Sequence, residues 1–358
     1  MEFADSETVE QWDALVSAAD GGFLFQTKMW ADFWSSYIGG RPSFWVARGV
    51  EGSIHGILME LRKSPAWDVF FERPFGSAML PAMRSVLPIR EALGGPLTLP
   101  GGCKESVQRA FALHLRRRPS RVGVLRKIIV TSPAALSYGA ALIDEEASSD
   151  RNASEFESCG YGATLLQTLL VDLQKSEDEH WSQLHRSARK TVSRAQRDGI
   201  VVRTVTDMSE LRHLYEAVID SRKRMGLRSF GFRNWELMWE WLNPTGAIHM
   251  FVAEVADQVL ACLGVWAFGK MIQEFASVRI VDKSPAGDLL KWEVIQWGRS
   301  RGYDSYDLAG VNLSPDASDK EKQIARHKLK WGGVPVSLSR YSCTLGFPPK
   351  RTKLERTR

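Results

Sequence analysis

Apolar residues gather into two short blocks of similar layout, FWVARGVEGSIHGILMEL (44–61) and FVAEVADQVLACLGVWAF (251–268). Each block is interrupted by a polar turn, so each reads as two strands joined by a hairpin. Helical spacing of apolar positions precedes both, at 7–18 and 208–225, and follows both, at 104–117 and 286–301. The later helices lead into KIIVTSP (127–133) and YDSYDLAG (303–310), which are again strand-like. The shared order of helix, hairpin, helix and strand predicts an α/β chain of mixed sheets, laid out as two tandem domains. The join falls in ALIDEEASSDRNASEFESCGYG (141–162), rich in acidic and small polar residues. Domains at 1–150 and 151–340 are expected, followed by a C-terminal segment, 341–358, that ends in a basic tail.

A second pattern sits inside the second half. RSARKTVSRAQRDG (186–199) follows Ser176-Glu-Asp-Glu179, a helix-starting capping box, and ends at Gly199, a helix stop. One helix over 177–198 is expected. At about 100° per residue, Arg186, Arg189, Lys190, Arg194 and Arg197 fall within an arc of about 140°. Leu184, Ala188, Val192 and Ala195 occupy the opposite side. Solvated helix faces usually alternate sign, whereas this stripe meets no acid before Asp198. It points to an anionic partner, read as phosphate contact, since no helix-turn-helix or zinc pattern surrounds it.

Composition narrows the classes. The chain has 358 residues, 44% hydrophobic and 25% charged, which excludes disordered and fibrous classes. The net charge is +5, but the tail PPKRTKLERTR holds five cations against one carboxylate. The body is therefore near neutral and no DNA-binding face is expected. The tail is either a free end or a peripheral contact with an anionic membrane surface. Cys103, Cys159, Cys262 and Cys343 lie far apart without a C-x-x-C pair, so neither a disulfide framework nor a metal site is expected. The N-terminal stretch MEFADSETVEQWDAL is acidic and not of signal-peptide type. VLACLGVWAF (259–268) is far short of the roughly 20 residues that span a bilayer. A cytoplasmic protein is expected, with the inner face of the membrane as its possible surface.

Several stretches resemble one family. FQTKMWADFW (25–34) is similar to its Q-x-x-x-W element through Gln26 and Trp30, and EALGGPLTLP (91–100) to its Gly-Pro segment. Residues 161–202 resemble its T-x-x-V-D-L block and the helix after it, with Thr168, Asp172, Arg189, Val192, Ala195 and Gly199 in register. GYDSYDLAGV (302–311) and HKLKWGG (327–333) resemble its C-terminal motifs. This is the FemABX family of aminoacyl-tRNA-dependent peptidoglycan bridge-forming transferases, within the wider GNAT-like acyltransferases. The resemblance implies two tandem GNAT-like domains with a cleft between them. It also implies transfer of an aminoacyl or acyl group to an amine, on a small-molecule or lipid-linked precursor of the cell envelope. No cofactor is implied to be permanently bound; the donor is aminoacyl-tRNA or acyl-CoA. Three departures stand out: no coiled coil follows the basic helix, Asp32 and Trp34 stand where a Lys is common, and His327 replaces a Phe.

Aminolysis of an ester or thioester needs a deprotonated amine, a stabilised oxyanion and close alignment, without an obligatory triad or metal. Lys328 is the candidate for the oxyanion or a donor phosphate, by the resemblance and as a point charge before the Trp-Gly-Gly turn. Asp307, at the end of a strand, is the candidate proton acceptor, and Tyr306, which alternates to the other face of that strand, is a further catalytic candidate. Arg189, flanked by Arg186 and Lys190, is the candidate for precursor phosphate, with Gln26 and Trp30 as further substrate contacts. His327, beside an aromatic turn, is expected to pack rather than react. Two rivals remain. VRIVDKSPAGDLLKW (278–292) lacks the R/Q-x-x-G-x-G/A spacing of an ordinary CoA site but has a small-residue helix start, which leaves an acyl-CoA donor open. A non-catalytic RNA- or envelope-binding module would use only the stripe and the tail.

Overall fold

The computed structural model describes residues 1–38, 40–63, 89–117, 126–131, 154–224 and 231–345. The basic tail and much of the expected join lie outside the described residues. The described chain forms two compact units, and their limits depart from a linear division. The first takes residues up to 131 together with 154–164 and 339–345, and the second takes 165–338. The chain thus returns to the first unit at residue 339, so residues 341–345 belong to a strand there and not to a separate segment.

The first unit opens with β1 (Glu2–Phe3), α1 (Ser6–Glu10) and α2 (Trp12–Ala18), then α3 (Lys28–Ile38). The expected helix over 7–18 is two helices that meet at Gln11, and Trp12, which starts the second, is buried and donates its Nε1–H to the Gln26 carbonyl at 2.7 Å. The sheet follows as β2 (Arg41–Arg48), β3 (Ile54–Lys63), β4 (Ile89–Ala92), β5 (Leu97–Thr98), α4 (Lys104–Arg117), β6 (Arg126–Thr131) and α5 (Glu155–Ser158). Its order is β1-β2-β3-β4-β6, with β5 paired to β3. Trp45, Leu58, Phe111 and Phe156 fill its core.

The second unit holds β7 (Gly162–Asp172, entering from the first unit), α6 (Glu177–Gln183), α7 (Arg186–Arg197), β8 (Val201–Thr204), α8 (Met208–Arg224) and α9 (Phe232–Leu242). After these come β9 (Ile248–Val255), β10 (Gln258–Phe268), β11 (Met271–Arg279), α10 (Ala286–Ser300), β12 (Ser305–Gly310), α11 (Asp319–Leu329) and β13 (Val334–Leu345). Sheet neighbours run β7-β12-β11-β10-β9-β8. β10 is buried from Leu260 to Ala267 because apolar clusters cover both faces of the sheet, which explains its unbroken apolar run. Residues 340–345 of β13 pair with β6 in the first unit. Among the described residues no helix is long and apolar enough to cross a membrane.

Two irregularities shape the second sheet. β11 and β12 are parallel but pair only at Met271–Ser305, Ile272–Tyr306 and Gln273–Asp307, after which they part. β11 also carries one extra residue, Phe275, where Gly264 pairs with Ala276 and Val265 with Glu274. Gly264 is needed there: a Cβ would lie 2.4 Å from the Phe275 ring and 2.7 Å from the Met250 sulfur. Gly264→Ala is therefore expected to destabilise the chain by about 1–3 kcal/mol, read as a lower urea midpoint with an unchanged slope.

Candidate active site

Where β11 and β12 part, four polar side chains lie almost entirely out of solvent: Glu274 (8% exposed), Lys291 (1%), Tyr306 (0%) and Asp307 (0%). The last paired positions fix them. Tyr306 and Asp307 alternate across β12 as expected, and Gln273 and Glu274 alternate across β11. Tyr306 therefore meets Glu274, donating its hydroxyl hydrogen to Oε2 at 2.7 Å, and Lys291 of α10 donates to the same oxygen at 2.5 Å. On the other face Asp307 accepts from Thr168, from Gln273 Nε2 at 2.7 Å and from the Ala309 N–H at 2.8 Å. Burial pushes the Asp307 carboxyl up against those three hydrogen bonds. Burial, with Glu274 beside it, pushes the Tyr306 phenol well up, so it is a donor and not a base.

Lys328 comes from the last turn of α11, whose start is fixed by a capping box between Ser318 and Glu321. Its Nζ donates to the carbonyls of Ala309 at 3.1 Å and Gly310 at 2.8 Å. Those carbonyls are presented by the irregular end of β12, where the register shifts and Ala309 takes a φ of 62°. An ammonium has three donors, so one N–H remains. Burial lowers the Lys328 pKa, opposed by Glu274 and Asp307. His327 is half-buried; burial and the neighbouring Lys330 and Lys291 push its pKa down to about 4.

Two cavities flank this cluster, both within the second unit. A cavity of about 430 Å³ is lined by Arg222, Arg279, Lys291, His327 and Lys328, with Glu274 as its only carboxylate among the described residues. A larger one, about 920 Å³, is lined by Gln167, Gln273, Asp307, Asn312 and Glu321 and by Trp266 stacked on Phe275. Among the described residues that line it there is no Lys, Arg or His. Glu274, Phe275 and Ala309 belong to both walls. Both volumes are of small-molecule size, and the two linings differ in the sign of their charged side chains. Among the described residues no group of three or more side chains is arranged to hold a metal ion.

The other sequence candidates lie elsewhere. The expected helix over 177–198 is broken at Leu184, whose backbone is extended and whose side chain is buried. The break sets the role of Arg189: its Nη1 donates to the carbonyls of Trp181, Ser182 and Leu184, the open end of α6. Arg189 is thus a helix cap and does not stand as a cation presented for phosphate. Arg186, Lys190 and Arg197 are exposed, Arg194 pairs with Asp198, and Ala188, Val192 and Ala195 are buried as the helical wheel requires. None of the stripe lines either cavity. Gln26 is fully buried; its amide donates to the carbonyls of Met59 and Leu93 and accepts the Met59 N–H. Trp30 is 3% exposed among Phe25, Phe33 and Trp34. Both residues build the first unit's interior and are not placed to meet a substrate. The residues that sequence reasoning missed are Glu274 and Lys291. Their signal was a single acid in the strand MIQEFASV and a single Lys in the apolar run LLKWEVI.

A family model described as an acetyltransferase (GNAT) domain matches residues 182–321, which contain most of this cluster. Among solved structures, FemX is similar with a TM-score of 0.70 at 13% identity, over 95% of this chain and 97% of that one. A tandem GNAT protein from the clavulanic acid biosynthesis pathway is similar with a TM-score of 0.53 at 15% identity, over 96% of each chain. The C-terminal domain of a putative lysylphosphatidylglycerol synthetase from Agrobacterium fabrum gives 0.53 at 14%, over 95% of this chain and 92% of that one. A search of curated proteins returns no match. The chain has the FemABX-like GNAT fold, of mixed α/β class with tandem units.

Two outcomes test these assignments. Arg189→Ala is expected to cost about 1–3 kcal/mol, since three carbonyls lose a charged donor, while Lys190→Ala stays within about 0.5 kcal/mol; chemical unfolding separates them. His327, with a folded pKa of about 4 against 6.5, makes the fold lose stability as pH falls from 6.5 toward 4, because the unfolded chain takes up that proton first. His327→Gln is expected to flatten that part of a Tm-against-pH curve.

Proposed function

We propose that this chain is an acyltransferase whose second unit moves an aminoacyl group from a nucleotide ester to an amine of a cell-envelope precursor. The observation that carries this reading is the position of Glu274 in the wall shared by the cation-lined and the cation-free cavity. An anionic donor fits the first cavity and an amine the second, so the carboxylate stands where their reacting ends meet. The amine nitrogen forms the new C–N bond and the ester C–O bond breaks. Glu274 accepts the proton released by the nitrogen and returns it to the leaving hydroxyl oxygen. The third N–H of Lys328 is available to the oxyanion or to donor phosphate. Tyr306 and Asp307 then act by placement: Tyr306 orients Glu274, and Asp307 ties β12 to β7 and β11 through Thr168 and Gln273.

The GNAT family model supports acyl transfer in general, and the FemABX-like fold supports the aminoacyl form. An envelope acceptor is in keeping with the lysylphosphatidylglycerol named for one similar structure. The choice of a nucleotide ester over acyl-CoA rests on the start of α10. An ordinary pyrophosphate nest offers free backbone N–H groups at such a helix start. Here the Ala286 N–H goes to Ser284 Oγ at 3.2 Å, and the first turn already holds a carboxylate, Asp288, bound by Lys330 at 2.7 and 2.8 Å. Phosphate is left to side chains, which suits a single phosphodiester better than a diphosphate. Acyl-CoA is the second reading, favoured by the acetyltransferase description of the family model.

Calorimetric titration of the full chain with aminoacyl-tRNA, uncharged tRNA and acetyl-CoA separates the two. Preference for the charged tRNA is expected, and saturable acetyl-CoA binding without it would replace the donor. With the preferred donor and an amine acceptor, Glu274→Gln and Lys328→Ala are each expected to lower kcat by about 10²–10³. Unchanged turnover in both would remove the junction from the chemistry.

A further inference from the structure

Resting on the assignment of the cation-lined cavity to the donor, we infer that Lys291 is a further donor-phosphate ligand, held in reserve by Glu274 and exchanged for phosphate when the donor binds. Lys is almost never fully buried without a partner. Lys291 is 1% exposed, on an inner face of α10 otherwise built from residues such as Leu290, Val294 and Ile295. Its hydrogen-bond partner among the described residues is Glu274 Oε2 at 2.5 Å. One of three N–H donors is thereby used, and the other two have no protein acceptor there although the side chain forms part of the cavity wall. As an element of stability alone the pair gains little, since a buried ion pair does no better than apolar residues of similar volume. As an anion site it is complete: Lys291 shares the cavity lining with Lys328, Arg279 and Arg222, and a phosphate oxygen would take the N–H groups left over.

The exchange has a consequence for the reaction. Oε2 of Glu274 accepts from both Lys291 and Tyr306. When phosphate draws Lys291 away, only the Tyr306 hydroxyl remains, and the carboxylate is free to take the amine's proton. The base is thus released when the donor is in place, and the donor binds before the acceptor. The charged and titratable groups around the pair are Tyr306 and Asp307 from β12, Lys328 and His327 from α11, Arg279 from β11 and Arg222 from α8.

The test is a double-mutant cycle on the full chain with adenosine 5′-monophosphate as the probe, its Kd read by calorimetry. Glu274→Gln is expected to tighten binding by about 5–10-fold, because the lysine no longer has to leave a carboxylate, and Lys291→Met to weaken it by about tenfold. In the Lys291→Met background, Glu274→Gln is expected to change Kd by less than about twofold. Tightening of full size in that background would make the effect a general loss of negative charge and would overturn the inference, as would no tightening at all. Should Lys291→Met not fold, adenosine replaces it as the control: Glu274→Gln must leave adenosine binding unchanged, and equal tightening of both ligands contradicts phosphate exchange. Lys328→Ala tests the donor assignment separately. If it weakens the nucleotide while Glu274→Gln does nothing, the cavity assignment stands and the exchange falls. If the nucleotide ignores Lys328→Ala, or does not bind at all, the donor assignment fails and the exchange with it.

Discussion

β11 and β12 stay hydrogen-bonded for three residues and then diverge, and the candidate site exists because of that divergence. A parallel pair that parts leaves a gap beyond the last bonds, where α/β folds commonly hold their ligands. Two local irregularities keep the gap open: the extra residue Phe275 against Gly264, and the register shift after Asp307 that turns the Ala309 and Gly310 carbonyls toward Lys328. Lys328 closes the arrangement by holding the irregular end of β12 from α11. The same side chain is thus part of the scaffold and keeps one N–H for the proposed chemistry.

Electrostatics then divides the gap. Cations from α8, β11, α10 and α11 converge on one cavity, while the described lining of the other has none. Glu274 stands at the boundary, and its two partners on one oxygen fix its orientation. The proposed proton transfer between an amine and a leaving oxygen uses this carboxylate with Tyr306 still in place to orient it. The first unit contributes differently: Gln26 and Trp30 are fastened into its interior. In that unit the Q-x-x-x-W spacing is a packing device.

The sequence was most informative where periodicity governs. The hairpins at 44–61 and 251–268, the helices at 104–117 and 286–301, and the buried face of Ala188, Val192 and Ala195 were legible from spacing alone. Spacing was less informative about the stripe, because a continuous wheel hides a helix break. Leu184 looked like one more apolar position, yet its extended backbone ends α6 and turns Arg189 into a cap. Lys328, Asp307 and Tyr306 were found through motifs, but their true neighbours Glu274 and Lys291 were not. Pairing across the sheet and from a helix to a strand is set by register, and register is not written in local periodicity. Domain limits were hidden for a related reason: β13 leaves one unit and enters the other without interruption.

A crystal structure of the full chain with a stable amide analogue of a 3′-aminoacyl adenosine 5′-phosphate tests the central claim most directly. The expected result is phosphate against Lys328 and Arg279 in the cation-lined cavity, with the carbonyl carbon at the Glu274 boundary and the aminoacyl side chain clear of the Asp307 wall. Density for the analogue in the first unit, or along Arg186, Lys190 and Arg197 without density in the cavity, would contradict it and give the stripe a phosphate-binding role after all.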